Sequence, residues 1–352
     1  MTATPTNNIE NELVRVTISA STLAIPLSGG KPGVEHYVER LLSWTELDQQ
    51  SWISVNTSKN AYGVLYEDNL CPDYETLKQL WKKIGIERYA WRDVSVQIQE
   101  LMSRGPYFEE CLGISPNEVE HISAQELETD PDIFSGCPGD HVKDDLKRCV
   151  VLMMISQLSR QESRKPPYHF LSLKESTTAT IKASARVAGA IDSIDAISIV
   201  DDIWVADDSR TVSMNIDEAE LLLHATTQQD LLAVISIALH KQHHSSTVLL
   251  EYLVGRAYIA SLQGRLQKRP DIARPIIRAM VETLMKSNMS ATHALRKGKS
   301  GGSATRTRGK DGAEAWRRDI DRDHHLHYWK INGEIEFACI SYPHDSFDIP
   351  EE

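Results

Sequence analysis

The sequence predicts an α+β chain: a predominantly helical body, a small mixed N-terminal region and a C-terminal β-hairpin. Three observations lead there. Apolar residues recur at helical spacing through the middle of the chain, most clearly from Asp217 to Met289. An Asn332-Gly333 pair stands between two alternating apolar runs, the strongest short signal for a hairpin. Charge is divided along the chain: the whole sums to −12, yet Arg256–Arg318 holds 15 Lys/Arg against 4 Asp/Glu. A basic segment in an acidic protein is a docking surface for a polyanion or an internal partner for the acidic part.

The length of 352 residues suits two domains, or one large domain with an appendage. Hydrophobic content of 41% and charged content of 25% are ordinary for a globular chain. The longest apolar runs, Leu231–Leu239 and Cys149–Ile155, fall well short of the roughly 18 residues a membrane span needs. The first residues carry neither a basic nor an apolar signal region, so a cytoplasmic protein without a membrane partner is expected. Cys71, Cys111, Cys137, Cys149 and Cys339 are scattered and never spaced as CxxC, which disfavours a disulfide framework or a cysteine zinc site.

The elements follow in order. Val14–Ile18 is β-prone, and Gly29–Gly33 is a turn. His36–Trp44 is amphipathic and helical, and Trp52–Val55 is a short strand. Tyr74–Ile84 places Leu77, Leu80, Trp81 and Ile84 on one helical face behind an Asp73 N-cap. Trp91–Met102 repeats that pattern until Gly105-Pro106 stops it. Asn117–Pro138 reads as an acidic loop. Asp140–Ser159 is a long helix with acids in its first turns and an almost wholly apolar second half. Tyr168–Leu173 is a strand. Ile197–Val205 and Thr211–Ile216 read as a hairpin across Asp207-Asp208-Ser209. Helices then run over Asp217–His224, Gln228–His240, Thr247–Leu266 and Ile272–Met289. Leu295–Gly312 has five glycines and almost no apolar residues, so it reads as a flexible linker. His325–Ile331 and Glu334–Ser341 form the final hairpin. The expected domains are 1–175 (mixed), 176–294 (β-hairpin plus helical body), 295–315 (basic linker) and 316–352 (hairpin tail).

Chemistry concentrates in the tail, where Trp316, Arg317, Arg318, Arg322, His324, His325, His327, Tyr328, Trp329, Tyr342 and His344 lie close in sequence. Imidazoles exchange protons near neutral pH, arginines stabilise a phosphorane-like charge, and exposed aromatic rings stack on bases. Metal-free RNA cleavage needs that set. With Gly309-Lys310, Trp316-Arg317-Arg318, Leu326–Trp329, Asn332-Gly333, Ile335–Ile340 and His344, the stretch resembles the C-terminal end of RelE/ParE-type toxins. There a basic loop precedes a strand, a tight turn, an apolar strand and a terminal His or Tyr. The resemblance covers about 45 of the 352 residues. Leu326-His327-Tyr328 stands where that family more often has an arginine, and the helical pair of that fold would have to come from the region of Ile272–Met289. The resemblance implies a metal-independent ribonuclease with His325, His327, Tyr328 and His344 as catalytic residues. The simpler reading of the same residues is a hairpin packed on the helical body with its polar side chains in solvent. The Arg318–His324 spacing also resembles that of HEPN ribonucleases, but it runs into a strand rather than lying on a helix.

Other clusters are weaker. His240, His243 and His244 could favour a helix C-terminus as readily as a metal. Asp192, Asp195, Asp201, Asp202, Asp207 and Asp208 read as loop and strand-end acids. Ser28–Gly33 is glycine-rich but lacks P-loop order and a helix placed to receive phosphate. No metal site and no cofactor is expected. The leading functional expectation is an interaction subunit that docks on a DNA or RNA backbone through Arg296, Lys297, Lys299, Arg306, Arg308, Lys310, Arg317 and Arg318, with a protein partner. A bacterial phage-defence assembly is a fitting setting. The alternative is the toxin-type ribonuclease. The two differ in geometry: a ribonuclease needs His and Arg side chains converging in one place, whereas a docking subunit spreads them over a convex face.

Overall fold

The computed structural model describes residues 14–48, 53–103, 105–111, 122–159, 168–187, 197–242, 250–298, 303–342 and 348–351. The architecture is α+β, and the chain divides into two units, Met1–Val212 and Ser213–Glu352.

The first unit is built on a six-stranded sheet. Its elements are β1 (Val14–Ile18), α1 (Ala20–Leu23), α2 (Gly30–Asp48), β2 (Ile53–Thr57), α3 (Ala61–Glu67), α4 (Tyr74–Ile84), α5 (Trp91–Ser103), α6 (Phe108–Cys111), β3 (Ile122–Asp130), α7 (Asp140–Ser159), β4 (Tyr168–Ser172), β5 (Thr177–Val187) and β6 (Ile197–Ala206). The strand order is β2-β1-β4-β6-β5-β3. The first four strands are parallel, and β5 and β3 add antiparallel at one edge. Every residue of β1 and β2 is buried, as expected for parallel strands covered on both faces. The apolar half of α7 packs Cys149, Val150, Leu152, Met153 and Met154 against Leu171 of β4, Ile181 of β5 and Ile203 and Val205 of β6. Asp73 caps α4 through its carboxylate, which accepts from the Thr76 N–H at 2.8 Å.

After α8 (Ser209–Asn215), which straddles the boundary, the second unit runs through α9 (Glu218–His224), α10 (Gln228–Gln242), β7 (Tyr252–Val254), α11 (Arg256–Leu266), α12 (Ala273–Leu284), β8 (Thr292–Ala294), β9 (Glu314–Asp319), β10 (His325–Ile331) and β11 (Glu334–Ser341). Its sheet has the order β7-β11-β10-β9-β8; β7 runs parallel to β11, and the other pairings are antiparallel. Helices cover one face of it. Tyr258 and Leu262 of α11 and Ile276, Ile277, Met280 and Leu284 of α12 pack on Leu326, Tyr328, Ile335, Phe337 and Ile340.

Several stretches differ from the sequence expectation; in the one expected as a helix over Thr247–Leu266, β7 occupies Tyr252–Val254 and the helix starts only at Arg256. The segment after β6 is the helix α8 rather than a returning strand, because the Asp208 carboxylate accepts from the Thr211 N–H at 2.9 Å and starts a turn. The expected loop at Asn117–Pro138 contains β3, and β5 was not expected. The expected linker is folded where it is described: Arg296 bridges Thr305, Thr307 bridges Glu314, and Leu295 is buried. The first domain boundary falls after Val212, not at 175, because β5 and β6 complete the first sheet. Among the described residues no helix is long and apolar enough to cross a membrane.

The turn from β10 to β11 places Asn332 at φ 49° and Gly333 at φ 94°. Two successive positive φ values define the turn whose twist matches a hairpin. A Cβ on Gly333 would meet no neighbour, so its cost is conformational alone. Gly333→Ala is expected to destabilise the protein by about 1–2 kcal/mol, read as a lower denaturation midpoint with an unchanged slope; an unchanged midpoint would refute this account of the turn.

Candidate catalytic face

Side chains alternate along a strand, so β10 has two different faces. Leu326 and Tyr328 join the helix-side core. His325, His327 and Trp329 occupy the opposite face, with the two imidazole rings parallel at 6.5 Å between centroids. The neighbouring strands add to this outer face in register. Asp319, Arg317 and Ala315 of β9 pair with His325, His327 and Trp329. His293 of β8 pairs with Arg317. The Asp319 carboxylate therefore lies between two histidines, 3.0 Å from His325 Nδ1 and 3.7 Å from His293 Nε2.

His327 is fully buried at the middle of this face. Its Nδ1 lies 3.1 Å from the Asp348 carbonyl oxygen. A carbonyl only accepts, so Nδ1 carries the proton and Nε2 keeps its lone pair. Nε2 has no hydrogen-bond partner among the described residues. Burial pushes His327 down to about 4; the bond to Asp348 opposes this, and the charges of His325, Arg317 and Arg306 reinforce it. The arginines thus sit close enough to act on the imidazole through their charge.

The structure sorts the remaining site expectations. Tyr328 is not with the histidines: it lies on the helix side, where burial pushes its hydroxyl up to about 12. His344 and Lys299 lie outside the described residues. Arg318 is no free phosphate ligand. It is 1% exposed, and its guanidinium donates to Glu282 Oε2 at 2.9 Å and to the Ser287 and Asn288 carbonyls at 2.8 and 3.1 Å. Arg308 is equally committed, 3% exposed and bonded to Asp311 and Glu336. These two arginines serve as internal partners for acidic residues. Arg296, Lys297 and Lys310 are exposed, and Arg306 and Arg317 are half-buried. The HEPN-like spacing fails as a site, since Arg318 faces α12 while His324 caps its own turn through Asp321. His293 and Asp319 escaped the sequence reading; the register of β8 and β9 brings them in.

The first unit has its own polar sites at the carboxyl ends of its parallel strands. The chain leaves β1 toward β2 on one side, and β4 lies on the other, so the connections diverge between β1 and β4. There Ser19 Oγ and Thr22 Oγ1 both donate to the Ser172 carbonyl, at 2.8 and 2.7 Å, and Ser21 Oγ lies 2.8 Å from Ser19 Oγ. All are buried. Beyond the end of β2, Arg148 Nη2 donates to Glu109 (2.6 Å), Asp145 (2.9 Å) and Ser58 (2.7 Å). The glycine-rich Ser28–Gly33 does lead into a helix, since α2 begins at Gly30. The serines of Ser19–Thr22 directly after an apolar strand were the legible signal for this end of the sheet.

Of the expected acidic cluster, Asp207 bonds Ser176 and Thr211, Asp208 caps α8, and Asp202 accepts from Thr180. Asp192, Asp195, His243 and His244 lie outside the described residues. Among the described residues no group of three or more His, Cys, Asp or Glu side chains is arranged to hold a metal ion. Comparison with protein-family models, with curated proteins and with solved structures finds no match.

The unfolded imidazole of His327 titrates near 6.5 and the folded one near 4. Between these values the unfolded chain takes up a proton that the folded chain refuses. The resulting stability is present in full above about pH 6.5 and is lost as pH falls toward 4, on the order of 3 kcal/mol over that window. His327→Gln is expected to flatten this part of the stability curve. Denaturant titrations at pH 7 and pH 4.5 on both proteins check it; an equal acid loss in the variant would refute the assignment.

Proposed function

We propose that the C-terminal unit is a metal-independent ribonuclease of the RelE/ParE toxin type. The observation that carries this is convergence: His325 and His327 share one sheet face with Arg317, and the charge of Arg306 reaches the same imidazole. A docking subunit would have spread these groups. Support also comes from α11 and α12, which precede the antiparallel strands and cover the opposite face, as a helical pair of that family would.

In this reading the 2′-hydroxyl of RNA attacks the adjacent phosphorus while its proton passes to His327 Nε2. The bond from phosphorus to the 5′-oxygen breaks, and that oxygen takes a proton from His325. A neutral His327 suits the accepting role, and Arg317 and Arg306 offset the charge that grows on the phosphoryl oxygens. Exposed Arg296, Lys297 and Lys310 follow the flanking backbone by sequence-blind, salt-sensitive contacts.

The same reading gives the first unit a regulatory role, as a toxin in a phage-defence setting would need. Open parallel α/β sheets take ligands outside the carboxyl ends of their strands, where the strand order reverses. In this unit that place is lined by Ser19, Ser21, Thr22 and Ser172. Hydroxyl groups at a helix start, with a glycine-rich stretch following in the chain, suit a nucleotide-like ligand.

Two measurements test these assignments. Incubation with RNA in EDTA, alone and in a translating cell extract, is expected to give cleavage that falls by about a hundredfold or more in His327→Ala and Arg317→Ala. No cleavage in either setting, together with salt-sensitive binding, would leave the docking subunit as the better reading. For the first unit, a panel of nucleotides is expected to contain one class that raises the melting temperature by a few degrees at about a hundredfold excess over Kd, with the effect lost in Thr22→Val. A panel with no stabilising member would remove the regulatory assignment without touching the ribonuclease.

A further inference from the structure

On the ribonuclease reading, one feature of the face is out of place: the base cannot be reached. His327 is 0% exposed, its Nδ1 is engaged by the Asp348 carbonyl, and its Nε2 is sealed from solvent. The group in the way is a short segment of the chain itself. Asp348–Glu351 runs across the outer face of β10 and meets two successive outward residues. Asp348 O receives the bond from His327, and Pro350 O receives one from Trp329 Nε1 at 2.7 Å. Between them Ile349, 3% exposed, fits among Leu295, Ala313, Ala315, Trp329 and Ala338.

We propose that Asp348–Glu351 is an acidic strap that closes the catalytic face and that an RNA backbone displaces it. Three features support displacement over permanent packing. The strap belongs to no strand of the sheet, and its described bonds to β10 use side-chain donors and its own carbonyls. One buried side chain and two hydrogen bonds set against the ordering of four residues make a small net preference for the closed state. The strap also has the charge of its competitor. Asp348 and Glu351 are exposed carboxylates on a face bearing Arg306 and Arg317, and a phosphate backbone carries the same sign at higher density. Release of the strap frees Nδ1 of His327 and the indole N–H of Trp329.

This inference rests on the ribonuclease reading for the identity of the displacing ligand, and its test is separable from it. Hydrogen exchange on the full chain, with and without a 2′-O-methyl RNA oligomer that cannot be cleaved by 2′-hydroxyl attack, reads the strap through the Trp329 indole N–H, which donates to Pro350 O. That N–H is expected to be protected in the free protein and to lose protection when the oligomer saturates it. Protection that stays the same or rises would overturn the proposal. A variant ending after Phe347 is expected to bind the oligomer about tenfold more tightly, the factor by which an open fraction of about one-tenth weakens apparent affinity. Ile349→Ser in the full chain is the milder variant if the truncated protein does not fold, with a gain in the same direction. Equal or weaker binding by a folded variant would overturn the strap. Strap release without cleavage anywhere would keep the gate and remove the nuclease; cleavage with an immobile strap would do the reverse.

Discussion

The second unit depends on the twofold alternation of side chains along β10. Leu326 and Tyr328 point into the helices and hold the sheet to α11 and α12, while His325, His327 and Trp329 point away. A shift of one residue would bury the histidines among leucines and isoleucines and expose the core residues. Register is therefore fixed by burial on one side, and the chemistry on the other side inherits that precision. The turn at Asn332-Gly333 and the register shift between His327 and Tyr328, which leaves Ala338 as an extra residue in β11, set the same alignment from the partner strand. The candidate site is positioned by the hydrophobic core behind it.

Electrostatics divides the basic segment in two. Arg308 and Arg318 are the most buried of its cations, and each is surrounded by acceptors: Asp311 and Glu336 for one, the Glu282 carboxylate and three carbonyls for the other. Removing either partner of such a pair would strand a charge in a poorly solvated place, which typically costs about 3–5 kcal/mol. These arginines stabilise the arm between β8 and β9 and the contact of β9 with α12. The exposed or half-buried cations are fewer than the net charge suggests, and the charges of Arg306 and Arg317 both act on His327.

Much of the fold was legible in the sequence wherever local pattern and tertiary burial agree. Asp140–Ser159, Tyr74–Ile84, His325–Ile331 and Glu334–Ser341 match their expected bounds, because each combines a clear period with a cap or a turn. The misses share a cause. Thr211 and Val212 are β-branched, yet Asp208 starts a helix over them. In β5 the run Thr177–Val187 is rich in Thr, Ala and Ser, and only its pairing with β6 and β3 makes it a strand. The three residues of β7 are defined solely by lying parallel to β11. For the site, the sequence grouped the right histidines but could not separate faces. Tyr328 adjoins His327 in sequence and opposes it in space, and the commitment of Arg308 to Glu336 spans a separation no local pattern records.

His327 is buried, and its Nε2 has no hydrogen-bond partner among the described residues, which makes it a poor structural device. Leaving a buried acceptor unsatisfied costs about 1–3 kcal/mol, and an apolar side chain of similar size would fill the same space without that penalty. At His327 the burial and the charges of Arg306, Arg317 and His325 also oppose protonation, so the imidazole is held neutral. A stability role explains none of these features. A role in an opened state explains them together: the charges of Arg306 and Arg317 favour an anion at this face, and the imidazole, held neutral in the closed state with its Nδ1 proton on the Asp348 carbonyl, has a nitrogen able to take a proton. The closed face then stores an arrangement that is unfavourable without its ligand and favourable with it. Such a difference between two states is what a polyanion needs in order to shift the equilibrium between them.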